Sequence, residues 1–204
     1  MNRNIYLRTV FILSLLLCTF ALAAVCIGRL SANPLDVYRV ITSKLGMGPA
    51  MDEVLEAMDT VLFKIRIPRA LASMMVGAIL SLSGAVYQGI FRNPLVSPDI
   101  LGVSSGASVG AAGAILLGLG MVERQSFAFL GGVFAVMLAT TIPRLLRNYS
   151  NLVFVLSGII VGGFLTSMLA IMKFVAEEQT ELAAIVFWQM GSFADINMSE
   201  VVEI

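Results

Sequence analysis

Hydrophobic and polar positions alternate along this chain by whole segments rather than by single turns. Apolar runs near the ~20 residues that a bilayer core requires are separated by short stretches that hold most of the charge. Five runs predict full transmembrane helices: Val10–Gly28, Pro68–Phe91, Ile100–Met121, Phe127–Leu146 and Leu152–Phe174. A sixth begins near Ser199. The first connection, Arg29 to Ile67, is polar and mixed in charge, and Asn33-Pro34 and Gly46-Met47-Gly48-Pro49 break it. Within it, Met51 to Lys64 predicts a short amphipathic helix leading into the second run. The last connection carries Glu177, Glu178 and Glu181, then Ile185-Val186-Phe187-Trp188, the pattern of an interfacial helix with an aromatic anchor. The fold class predicted is all-α, a polytopic transmembrane helix bundle.

The runs differ in kind. The first is rich in Leu and Phe and reads as a lipid-facing, peripheral helix. The second has a small residue at every fourth position: Ser73, Gly77, Ser81, Ala85 and Gly89. The third repeats the pattern with Gly102, Gly106, Gly110, Ala114 and Gly118, and the fifth with Gly158, Gly162, Thr166 and Ala170. A spacing of four places these residues on one ridge, and small ridges let helix backbones approach closely where lipid supplies no hydrophobic drive. Runs two, three and five are therefore expected to form a tightly packed bundle.

Composition narrows the function classes. Apolar residues make up 58% of the 204 and charged ones 13%, against about 25% charged in a soluble domain. Thirteen basic and thirteen acidic residues leave no net charge, which disfavours a nucleic-acid binder. The chain has no histidine, which removes His-dependent catalysis and His metal ligands. Cys18 and Cys26 are eight residues apart, ~12 Å along one helix, too far to bridge. Arg3, Arg8 and Ala21-Leu22-Ala23 resemble a signal peptide. The apolar run from Val10 to Ile27 is longer than a signal core, however, and Val25 is too large for lipoprotein processing before Cys26, so the first span is read as uncleaved. With the N-terminus inside, five basic residues (Arg3, Arg8, Arg92, Arg144 and Arg147) fall inside and the other eight outside. The basic-residue count thus leaves orientation open.

Two catalytic patterns fail on chemistry. Gly102-Val103-Ser104-Ser105-Gly106 fits the nucleophile-elbow spacing, but a serine nucleophile needs a nearby base, and Lys44, Lys64 and Lys173 all lie in loops or at span ends. A phosphate-binding loop needs Gly-Lys followed by Ser or Thr, whereas the three lysines follow Ser43, Phe63 and Met172. Nucleotide hydrolysis is therefore expected on another chain, and neither a cofactor nor a metal site is expected on this one. The stretch from Arg92 to Asp99 reads first as helix punctuation. Asn93 and Pro94 close the second run, while Ser97, Pro98 and Asp99 supply a capping hydroxyl, a first-turn proline and an acid at the positive dipole end.

As one string with its flanks, that stretch resembles the FecCD-type permeases of bacterial iron-chelate, haem and cobalamin importers. The resemblance is carried by Arg66-Ile67-Pro68-Arg69, Val76-Gly77-Ala78 and Leu82-Ser83-Gly84-Ala85-Val86-Tyr87-Gln88-Gly89. It continues through Arg92-Asn93-Pro94-Leu95 and the block from Pro98 to Ala107, then Phe187-Trp188-Gln189-Met190-Gly191-Ser192. What it implies is a ten-helix permease of the bacterial cytoplasmic membrane with both ends in the cytoplasm. Partners implied are a second permease copy (homodimer) or paralogue, two ATPase subunits, and a periplasmic or lipoprotein substrate-binding protein.

The resemblance further implies that residues 1–204 form a single transmembrane permease domain that stops before the cytoplasmic coupling helices, and that this stretch alone neither holds its ATPase nor supports uptake. The fifth helix would border the translocation path, with Ser150 and Asn151 in the turn that narrows its cytoplasmic end. Arg66 and Arg69, at the outer start of the second helix, would dock the binding protein. Ferric siderophore is the default cargo. A truncated or non-transporting membrane protein of the same fold is the alternative, and a downstream reading frame with four more helices would separate the two.

Overall fold

The computed structural model describes residues 3–28, 33–47, 52–194, 196–198 and 201. The described residues are helical, with no strand among them. They fall into two compact units, residues 1–77 with 193–204, and residues 78–192. The boundary lies inside one helix, α4 (Ile67–Phe91). Among the described residues, four helical stretches are long and apolar enough to cross a membrane: Arg3–Cys26, Glu53–Phe91, Met121–Leu145 and Asn151–Val175.

In the first unit, α1 (Arg3–Cys26) buries none of its residues against the protein. Its Leu and Phe side chains are open to lipid, where a uniformly apolar surface costs nothing. The polar connection folds into α2 (Pro34–Lys44) and α3 (Glu53–Val61). Asp36 accepts from the Asn33 N–H at 3.1 Å and Asp52 accepts from the Leu55 N–H at 2.8 Å, so each helix start has an orphan donor satisfied. The Lys44 ammonium sits 2.8 Å from the Asp59 carboxylate and 4.0 Å above the Phe63 ring, tying α2 to α3 and to the turn beyond it. The expected amphipathic helix is present, but it does not stop before the span. It passes into α4 through a π-helical turn, Leu62–Arg66, closed by the Ile67 N–H donating to the Leu62 carbonyl. One extra residue in a turn rotates the rest of the helix by about 100° relative to a regular one.

The second unit is built around α5 (Val103–Leu116), which buries Gly106, Ala111, Ala112, Ala114 and Ile115. The expected full span Ile100–Met121 is corrected here. At 14 residues α5 is ~21 Å long, short of a ~30 Å hydrocarbon core. Gly102 (φ 72°) splits the 3₁₀ turn Pro98–Leu101 from α5, and Gly118 (φ 67°) lies just past its C-terminal end. Both are left-handed positions that other residues rarely adopt. Around α5 pack α6 (Met121–Leu145), α7 (Asn151–Val175) and the short α8 (Glu181–Met190). One apolar cluster joins Phe91, Leu101, Ala135, Ala139, Val161 and Leu165. A second joins Ala112, Ile115, Leu169, Ala176 and Ile185, with Trp188 against it. Trp188 therefore anchors α8 to the bundle. The start of a sixth span near Ser199 lies outside the described residues, as do Gly48 and Pro49 of the first connection.

Candidate functional site: glycine contacts, arginines and the α6–α7 turn

Close backbone approaches are made at glycines. A Cβ placed on Gly106 would lie 2.3 Å from the Gly131 carbonyl oxygen, and one on Gly110 only 2.0 Å from that of Phe127. Gly131 reciprocates, 2.3 Å from the Gly106 carbonyl. These contacts set α5 directly on α6. A Cβ on Gly158 would lie 2.0 Å from the Ile100 oxygen and one on Gly162 3.6 Å from the Gly102 Cα, which sets α7 on the 3₁₀ turn. Ser105 and Thr166 hydroxyls meet at 3.3 Å between α5 and α7, a polar link typical of membrane helices.

The ridge of the second run differs within this chain: Gly77 and Ser81 are exposed, and nothing lies within 4 Å of a Cβ added at Gly77 or Gly89.

The connection between α4 and α5 is held by its own side chains. The chain leaves α4 at Arg92 (φ 50°), before Pro94. Asn93 accepts from the Leu95 N–H at 3.0 Å, an Asx turn. Ser97 occupies the N-cap position, but its hydroxyl makes no capping bond. Asp99 caps instead, reaching over the break at Gly102 to accept from the Ser104 N–H at 3.2 Å. The physical reason is the split start: the first turn of α5 opens after Gly102, out of register with Ser97 and within reach of Asp99.

Arg66 and Arg69 are placed unequally. Arg66 is 9% exposed and donates from Nη1 to the Val25 and Cys26 carbonyls at 2.7 and 3.0 Å. It thus caps the C-terminal end of α1, where free carbonyls and the negative dipole end favour a cation. Arg66, expected at the outer start of the second helix, is thus mostly buried against the end of α1. The π turn alters the helix register at this point, which residue spacing in a regular helix does not anticipate. Arg69, half-buried, donates from Nη2 to the Ala194 carbonyl.

Ser150 and Asn151 open α7. The Ser150 hydroxyl accepts from the Val153 N–H at 3.4 Å. The Asn151 amide donates to the Phe91 carbonyl at 2.9 Å, and Phe91 meets Phe154 edge-on with ring centroids 6.4 Å apart. The start of α7 is therefore fastened to the end of α4. Sequence reasoning missed this contact. Its only trace is an amide at a helix start, combined with a helix that stops at Phe91 and leaves carbonyls open.

A model of the FecCD transport family matches residues 14–204. The chain belongs to the FecCD transport family. FecCD relatives include the molybdate import system permease protein MolB of Haemophilus influenzae, 34% identical over 204 residues, which are 98% of this chain and 58% of that protein. An iron chelatin transport system permease protein of Helicobacter pylori is 41% identical over 145 residues, 70% of this chain and 43% of that one. The vitamin B12 import system permease protein BtuC of Escherichia coli is 30% identical over 191 residues, 94% and 54% of the two chains. An inward-facing conformation of a metal-chelate type ABC transporter matches the fold with a TM-score of 0.77 at 33% identity, covering 96% of this chain and 56% of that one. The chain thus spans about half the length of the FecCD relatives it matches. Family and fold agree: it is a multi-pass, helical membrane protein.

Proposed function

We propose that this chain is part of the permease subunit of an ATP-driven importer that carries a metal chelate across the bacterial cytoplasmic membrane. The observation that carries the reading is the FecCD match over residues 14–204. The N-terminus is cytoplasmic. ATP is hydrolysed on two separate ATPase subunits, a second permease copy or paralogue completes the path, and a periplasmic or lipoprotein binding protein delivers the cargo. Ferric siderophore is the cargo favoured; the relative at 41% identity is named for iron chelatin.

Ser150 and Asn151 are the proposed gate. Moving the start of α7 away from α4 breaks one amide–carbonyl bond, a cost of about 0.5–1.5 kcal/mol, small enough for a gate that cycles. Cysteine at either position should react with a cytoplasmic thiol reagent at rates that differ between transport states.

The function is tested by deleting the gene that encodes this chain and restoring it in parallel. Uptake of labelled ferric siderophore should fall on deletion and return on restoration. Uptake of molybdate or cobalamin in its place would keep the permease and overturn the cargo. No change for any of the three would overturn the importer reading.

A further inference from the structure

The first unit contains a cavity of about 610 Å³ at the C-terminal end of α1, lined by Ala24, Ile27, Gly28, Arg66, Arg69 and Phe193, among others. Its walls are mostly apolar, yet two guanidiniums face it, and among the described residues no carboxylate lines it. Arg66 is held in place by the Val25 and Cys26 carbonyls. Arg69 keeps its Nε buried without a hydrogen-bond partner among the described residues. A buried donor left in this way costs free energy until an acceptor arrives. The wanted ligand therefore carries an anionic oxygen for Arg69 and hydrocarbon for the walls.

The level of the cavity in the membrane narrows the choice. The first apolar run, Val10–Gly28, spans ~28 Å, so its end at Ile27 and Gly28 lies near the outer edge of a ~30 Å hydrocarbon core, with Ala24 about one turn inside it. Lipid phosphates lie just beyond that edge. Guanidinium groups bind phosphate oxygens through paired N–H donors. A free hydrated phosphate would gain the charge contact but lose water against the apolar walls. A zwitterionic lipid would bring an ammonium that finds no carboxylate among the described lining residues. We infer that the cavity is a binding site for the phosphate of an anionic phospholipid, with Arg69 as its main ligand and the upper acyl chain against Ala24 and Ile27. The lipid would then brace the junction of α1 with the start of α4. This site does not depend on the cargo, but it uses the arginine that the family resemblance gives to docking of the binding protein.

The test uses the full chain in nanodiscs of phosphatidylcholine, with and without phosphatidylglycerol. At about a tenfold excess of bound-competent lipid over its dissociation constant, the unfolding temperature of the wild type should rise by about 3–6 °C. The rise should vanish in Arg69→Gln and persist in Arg39→Gln, which removes an exposed charge outside the cavity. Native mass spectrometry should find phosphatidylglycerol retained by the wild type and lost from Arg69→Gln. Equal shifts in both variants would reduce the effect to surface charge and overturn the site. An equal shift from inorganic phosphate in phosphatidylcholine discs would assign the arginines to a free anion. Loss of binding-protein association in Arg69→Gln with an unchanged lipid shift would assign them to docking. Should Arg69→Gln fail to fold, short-chain phosphatidylglycerol is titrated against the wild type in uncharged detergent; binding that does not saturate, or that short-chain phosphatidylcholine matches, overturns the proposal.

Discussion

Replacing Gly110 by alanine tests the reason α5 and α6 lie so close. The new Cβ would be placed 2.0 Å from the Phe127 carbonyl oxygen and 2.7 Å from its carbon. An ordinary carbon–oxygen contact is ~3.3–3.6 Å, so the helices must part by more than ~1 Å along that line. The obstacle is backbone, which cannot rotate aside as a side chain can. Overpacking of a core costs about 1–3 kcal/mol, and the upper half of that range applies here. Alanine regains up to ~1 kcal/mol of helix propensity over glycine, leaving a net loss of about 1–2 kcal/mol. Gly113→Ala on the same helix is the control. Its Cβ would meet the Met172 methyl at 3.6 Å, an ordinary contact, so the propensity gain should stand alone. Both variants are unfolded by titrating a denaturing detergent into micelles, following Trp188, the only tryptophan, whose ring packs on the cluster containing Ala112 and Ile115 of α5. Gly110→Ala should unfold earlier than wild type and Gly113→Ala at the same point or later. Coincident curves for the two would refute the argument that the missing side chain at Gly110 sets the helix spacing.

Asn151→Ala removes the amide that reaches the Phe91 carbonyl and should lower stability by about 0.5–1.5 kcal/mol in the same titration. In a permease with measurable uptake, the same change should alter the thiol reactivity of a cysteine at Ser150 more than that of one at Glu178. A double-mutant cycle on Lys44→Met and Asp59→Asn should return a coupling of about 0.2–1 kcal/mol, because both groups retain solvent access. That coupling should shrink with added salt, while the part Lys44 contributes over the Phe63 ring should survive in the Asp59→Asn background.

Spans one, two, four and five, the short helix bearing Trp188 and the amphipathic helix of the first connection were all legible as pattern, because a bilayer imposes length and apolarity on whatever crosses it and its interface selects amphipathic segments. Family membership was legible as well, in the block from Arg66 to Ala107. Residue types alone also pointed to Gly106, Gly110, Gly158 and Gly162 as small positions at fixed spacing. What they could not show is which backbones those ridges touch: Gly106 and Gly110 of α5 meet α6, and Gly158 of α7 meets the 3₁₀ turn before α5.

Local chemistry thus set the elements, and long-range contact set their use. Periodicity is a property of neighbours within a few turns, so it marked the apolar runs and their small-residue ridges. It carried no information on the register change at the π turn, since a π turn is decided by what packs on either side of it. That turn accompanies an Arg66 turned from the surface onto the carbonyls of α1, 40 residues distant in sequence. Likewise, Gly102 in the left-handed region shortened α5 and passed the cap from Ser97 to Asp99, and Asn151 found its acceptor 60 residues away. Each of these satisfies a buried donor or an open helix end, and the partner for such a group is chosen by where the chain returns in space, which only the tertiary structure decides.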